Sequence, residues 1–150
     1  MSASFAIRSF EVAKDRAAVI ALWTEVFGYG APHNDPALAI EKKCAANDGL
    51  LFVAEQGGRV IGTVMAGYDG HRGWIYSLAV VTGHRRAGLG RALVAHAEEA
   101  LAARGCLKVN LQVLEGNKGV VGFYEKVGYA VEARVSMGKL LRRPEDTPSE

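Results

Sequence analysis

Between Ser77 and Leu101 the spacing of apolar residues changes from the alternation of a strand to the fourfold repeat of a helix, Leu89, Leu93, Ala97 and Leu101. The change takes place across Arg85-Arg86-Ala87-Gly88-Leu89-Gly90-Arg91. A strand that runs through a glycine-bearing turn into a helix restricts the chain to folds that alternate sheet and helix. Arg104-Gly105 supplies a cationic last turn and a stop. Val109, Leu111 and Val113 then alternate as a strand, so Trp74 to Val113 is predicted to be a strand, helix, strand unit with parallel strands and a right-handed crossover.

The residues before this unit read as follows. Ile7 to Phe10 is a short first strand, and Val19, Leu22, Trp23, Val26 and Phe27 form the apolar stripe of a helix ended by Gly28 and Gly30. Asn34-Asp35-Pro36 places a capping side chain ahead of a proline at the first helical position, which predicts a second helix to Ala46. Leu50 to Glu55 and Val60 to Tyr68 flank Gln56-Gly57-Gly58-Arg59, a hairpin signal, and with Trp74 to Val81 they predict an antiparallel meander. Asn117 caps a last helix that ends at Gly128, and Tyr129 to Leu140 is expected to supply one or two closing strands. The expected organisation is one domain over 1–141 with a frayed tail over 142–150.

Composition excludes several roles. Of 150 residues 49% are apolar, and 18 basic against 16 acidic side chains leave a net charge of +2 without any block of like charge, so no nucleic-acid partner is expected. The uncharged run Ala17 to Thr24 falls far short of the ~20 apolar residues that cross a bilayer, and Met1 to Asp15 lacks the features of a secretory signal. The expected location is the cytoplasm, without membrane attachment. Cys44 and Cys106 lack metal-ligand spacing and read as buried thiols, so no metal is expected.

The turn itself reads as an anion site. Backbone N–H groups at a helix N-terminus point outward with the helix dipole behind them, and glycines at 88 and 90 let a diphosphate approach the backbone. Arg85, Arg86 and Arg91 add positive charge. A dinucleotide fingerprint fails because Leu93 stands where a third small residue is needed, and a P-loop fails because Lys and Ser or Thr do not follow Gly88.

Arg-x-x-Gly-x-Gly after the Leu78 to Val80 strand, followed by Asn117 and Phe123-Tyr124-Glu125-Lys126-Val127-Gly128-Tyr129, resembles the GCN5-related N-acetyltransferase (GNAT) family over nearly the whole chain. His33-Asn34-Asp35-Pro36 and Gly67 to Gly73 are similar to a bacterial branch near the ribosomal-protein alanine acetyltransferases. The resemblance implies an α/β fold with a mixed, mostly antiparallel sheet of six to seven strands, a central parallel pair splayed apart and about four helices. It also implies acetyl-CoA as co-substrate, an amine acceptor, and a homodimer as a common arrangement. By the same resemblance, Leu78, Ala79 and Val80 pair with the pantetheine arm like an added strand. Arg85, Arg86, Ala87, Gly88, Leu89, Gly90 and Arg91 would hold the pyrophosphate, Asn117 the pantetheine, and Tyr124 would donate a proton to the departing thiolate.

The sequence departs from the family at the general base. A lysine amine is neutral only on the order of 0.1% near pH 7.4, so a base or an acceptor of lower pKa has to make up the deficit. Where branches of the family place a glutamate, this chain has Trp74 and Gln112. Glu55, Asp69, His71, Tyr76 and Glu115 remain as candidates, each with a plain structural reading beside the catalytic one. An α-amine with a pKa near ~8 needs little help, which directs attention to a peptide α-amine or a small amine. The competing expectations are an acetyl-CoA sensor that has lost its base, and a phosphate-binding or structural domain without CoA.

Overall fold

The computed structural model describes residues 4–28, 32–84 and 88–142, and the chain divides into two compact units, 1–111 and 112–150. In the first unit five strands follow one another in space as in sequence: β1 (Ala6–Ser9), β2 (Leu51–Gln56), β3 (Arg59–Tyr68), β4 (Gly73–Val80) and β5 (Val109–Leu111). Pairings β1 to β4 are antiparallel, and β4 with β5 is parallel. Helices α1 (Val12–Phe27) and α2 (Pro36–Ala46) precede the meander, and α3 (Leu89–Ala102) is the crossover between β4 and β5.

The alternation of strand side chains sends neighbouring residues to opposite helix layers. Leu51 and Val53 join Val19, Leu22 and Trp23 of α1 and Ile40 of α2 in one apolar cluster. Phe52, between them in sequence, meets His96 of α3 edge to face at 4.6 Å. Leu89, Leu93 and Leu101 of α3 are fully buried, and burial of this kind contributes about 1.5–3 kcal/mol per side chain. That face is tight: a Cβ on Gly62 would stand 2.9 Å from Leu93 Cδ1, and one on Gly73 2.9 Å from Leu101 Cδ1. Glycines here let α3 lie close along the sheet.

Local signals explain the helix ends. Asp35 caps α2 by accepting the Leu38 N–H at 3.3 Å, Pro36 follows at the first position, and Asn47 closes the helix in the left-handed region at φ 50°. At the start of α1 the cap position holds Glu11, whose N–H is taken by the Asp15 carboxylate at 2.8 Å. Asp15, 1% exposed, also accepts from Arg8 Nη1 and Nη2 at 2.7 and 2.9 Å. Arg8 and the Glu11 N–H hold the Asp15 carboxyl below the usual carboxylate range against the effect of burial, and thereby fasten β1 to α1.

The second unit contains α4 (Lys118–Lys126), capped by Asn117 Oδ1 on the Val120 N–H at 3.2 Å. Tyr124 packs edge to face between Phe123 and Tyr129 at 5.1 and 5.6 Å.

Four sequence expectations are corrected. The sheet has five strands among the described residues, not six to seven, because Tyr129 to Leu140 forms none. Alternating apolar residues make a strand only where a second edge takes their backbone groups. Within this unit Arg134 instead bonds the nearby Glu132 carbonyl in a local turn. As a result the parallel pair stands at one side of the sheet, with β5 its last strand, and not in the centre. Finally, β5 stops at Leu111, and Gln112 lies in the second unit, where its Nε2 donates to Ser136 Oγ. Cys44 and Cys106, expected to be buried, are half-buried free thiols.

Candidate functional site

The parallel ladder between β4 and β5 covers only Gly73 to Ile75 against Val109 to Leu111, while β4 continues to Val80. Along this continuation β4 is bulged. Thr63 pairs with Ala79 and Met65 with Tyr76, so Ser77 and Leu78 together face Val64. Ser77 adopts φ 52°, uncommon for a residue with a side chain. The extra residue exchanges the faces: Ile75 pairs with Ala66 on the α3 side, whereas Ala79 lies in the α1 and α2 cluster. Leu78 and Val80 are half-buried beside the buried Ala79.

Beyond β4, a short 3-10 turn over Thr82–His84 leads toward α3, with His84 Nε2 set 3.0 Å from Gln56 Oε1 of β2. Arg85, Arg86 and Ala87 lie outside the described residues. Gly88 occupies the cap of α3 at φ 76°, a left-handed conformation that glycine adopts without strain. The first bond of the helix runs from the Ala92 N–H to the Gly88 carbonyl at 3.0 Å. The N–H groups of Leu89, Gly90 and Arg91 therefore precede the intrahelical ladder and have no acceptor within the helix. Leu89 is buried and offers its backbone alone, whereas Arg91 is exposed.

The candidates for a base separate on inspection. Glu55 accepts from Arg8 Nε at 2.8 Å and lies 3.6 Å from Lys14 Nζ, and these partners hold its carboxyl below the usual range. Asp69 accepts the N–H groups of Arg72 and His71 at 2.8 and 2.7 Å, bonds that fix its own turn and lower its pKa. Tyr76 is 49% exposed on β4, and burial, then the Asp69 charge, push its phenol up. These three groups have the plain reading: two are ion-paired or turn-locked carboxylates, and the third is a phenol harder to ionise than usual. His71 is exposed in the turn before β4, and Glu115 is exposed in the second unit.

In that second unit Asn117 spends its side-chain oxygen on the helix cap, leaving the amide nitrogen to donate. Tyr124 is 8% exposed, and burial pushes its phenol up to about 12, so the group stays protonated through neutral pH. Among the described residues, no three His, Cys, Asp or Glu side chains gather where they could hold a metal ion, and no helix is long and apolar enough to cross a membrane.

The family model described as Acetyltransferase (GNAT) family matches residues 16–129. The chain belongs to the GNAT acetyltransferase family. Its relatives include an acetyltransferase of Yersinia pestis, 44% identical over 123 residues that make up 82% of this chain and 86% of the relative. Among solved structures, the ribosomal-protein-S18-alanine N-acetyltransferase of Escherichia coli is similar at 26% identity and a TM-score of 0.65, covering 83% of this chain and 77% of that one. An aminoglycoside N-acetyltransferase in complex with CoA shares the fold at 18% identity and a TM-score of 0.75, with 95% and 98% covered.

Nothing in the sequence gives a role at the site to Trp23, Thr63 or Ser77. A threonine in a strand and a tryptophan in an apolar stripe look like ordinary strand and core residues, and no glycine marks the bulge.

Proposed function

We propose that this chain is an N-acetyltransferase that uses acetyl-CoA and delivers the acetyl group to a primary amine, a peptide α-amine or a small amine, by direct attack. The observation that carries this reading is the path from β4 to α3: a strand that outruns its parallel neighbour, then a helix opened by Gly88 with N–H groups ahead of its ladder. The donor supplies a thioester, an acyl group already activated toward amines.

In this reading the backbone of Leu78, Ala79 and Val80 receives the pantetheine arm as an added strand. The turn Arg85 to Arg91 takes the pyrophosphate on backbone N–H groups and arginine charge, and Asn117 donates its amide N–H to the arm. The run-on part of β4 and the start of α3 suit a phosphorylated, amide-bearing ligand. The anion meets a helix N-terminus, and the amides meet a strand whose ladder stops at Ile75. The CoA complex of the fold neighbour supports the same ligand class.

Tyr124 supplies the O–H that meets the leaving sulfur. Its phenol at about 12 is a weaker acid than a thiol near ~8.5, so transfer to a free thiolate would be uphill. Tyr124 therefore stabilises the leaving sulfur by a hydrogen bond as the C–S bond breaks. Overall, the proton lost by the attacking nitrogen balances the one the thiol gains. Neither half-buried cysteine lies in the strand-turn-helix path, and no covalent enzyme intermediate is invoked.

The ties that hold Glu55 and Asp69 support an acceptor with a substantial neutral fraction of its own, hence an α-amine before a lysine. The E. coli neighbour, named for an alanine of a ribosomal protein, points the same way. The test is release of CoA from acetyl-CoA against a panel of peptides and small amines, with titration calorimetry of acetyl-CoA in parallel. Turnover on an amine supports the reading. Binding without turnover on any amine selects the sensor alternative, and absence of binding removes both.

A further inference from the structure

The bulge in β4 has a dedicated support. The Thr63 hydroxyl, on a residue 0% exposed, donates to the Ser77 carbonyl at 2.9 Å and accepts from Trp23 Nε1 at 2.8 Å. One hydroxyl thus links α1, β3 and the bulged residue, with donor and acceptor capacity both engaged. Valine would fill the same space, so apolar packing alone does not call for a threonine. A hydroxyl buried in an apolar core is costly unless bonded, and a fully bonded one specifies a single geometry. The geometry specified here is unusual: Ser77 at φ 52° persists where its surroundings over-determine it. Ser77 also opens the segment that runs through Leu78, Ala79 and Val80.

We propose that Thr63, held in place by Trp23, is a positioning residue that sets the course of Ser77 to Val80 and so presents that backbone to the pantetheine arm of the acyl donor. The inference rests on the acetyl-CoA reading above and adds to it the device that shapes the receiving strand. Thr63 acts through Ser77 and need not touch the ligand itself.

The experiment compares two ligands by titration calorimetry: acetyl-CoA, and adenosine 3′,5′-bisphosphate, which carries nucleotide phosphates and no pantetheine. Thr63→Val is expected to raise the Kd of acetyl-CoA about ten-fold and to leave that of the fragment within about two-fold. Thr63→Ser keeps the hydroxyl and should return acetyl-CoA binding toward the starting value. Trp23→Phe keeps the bond to Ser77 and should give a smaller shift in the same direction. A purely structural role would lower stability and leave the ratio of the two affinities unmoved.

A folded Thr63→Val protein whose two Kd values move together, or not at all, overturns the proposal. If Thr63→Val does not fold, Trp23→Phe decides on the same ratio. Failure of the unsubstituted protein to bind acetyl-CoA removes the donor reading and this inference with it. Binding with no selective change in the variants removes only the role of Thr63.

Discussion

Gly62 and Gly73 lie under the two ends of α3, and this allows packing to be separated from ligand binding. In Gly62→Ala the new methyl meets Leu93 Cδ1 at 2.9 Å, the Ala79 carbonyl oxygen at 3.1 Å and Leu89 Cδ2 at 3.3 Å. In Gly73→Ala it meets Cys106 Sγ at 2.8 Å and Leu101 Cδ1 at 2.9 Å. Carbon atoms in contact prefer about 3.5–4.0 Å, so in each case side-chain ends or the helix itself must give by roughly 0.6 Å or more. Overpacking of this size costs about 1–3 kcal/mol, which for a chain of this length lowers Tm by roughly 2–4 °C per kcal/mol. The two losses in Tm should be similar. Only Gly62→Ala pushes on Leu89, Leu93 and Ala79, beneath the opening turn of α3 and the run-on part of β4. Its Kd for acetyl-CoA should therefore rise about five-fold or more, while Gly73→Ala stays within about two-fold of the parent. Thermal melts and calorimetry on the same preparations supply both numbers. Equal affinity losses in the two variants, or a Gly62→Ala protein that loses Tm but not affinity, would refute the placement of the ligand at this end of α3.

Tyr124→Phe should lower turnover by about 10²-fold or more and change acetyl-CoA affinity little, because the lost group is needed as the thiol departs; steady-state kinetics beside calorimetry checks this. With two amine acceptors about two pKa units apart, kcat/KM should climb along each acceptor's own titration, since Glu55 and Asp69 are held ionised by other partners. Coincident profiles would instead reveal a tuned base shared by both. Asp15→Asn should cost about 1.5–3 kcal/mol in denaturant melts by weakening the charge-assisted bonds to Arg8. Since the folded pKa of Asp15 is lowered, its contribution is complete above the unfolded value near ~3.9 and fades as pH falls through the folded one. The acid limb of stability against pH should accordingly be shallower in the variant.

Much of the first unit was legible because its signals are local. The Asp35-Pro36 cap, the hairpin glycines at 57 and 58 and the fourfold repeat from Leu89 each act within a few residues, and each element lies where they put it. That Tyr129 to Leu140 forms no strand was not legible, since an alternating pattern says nothing about a partner edge. Among the candidate bases, Glu55 looked available until folding brought Arg8, 47 residues away in sequence, to its carboxylate. The Thr63 hydroxyl was equally hidden, because its partners stand 40 and 14 residues away.

The bulge at Ser77 and Leu78 also gives β4 two reading frames. Up to Ile75 the odd-numbered residues look toward α3; after the bulge the even-numbered ones take that side, with Val80 paired to Gly62, and Ala79 turns to Trp23 and its neighbours. An alignment or a designed library that treats Gly73 to Val80 as one regular alternation would therefore assign the wrong size constraint to every position after Ser77. Small residues are required at 79 by the α1 layer, and the next position answers to a different helix.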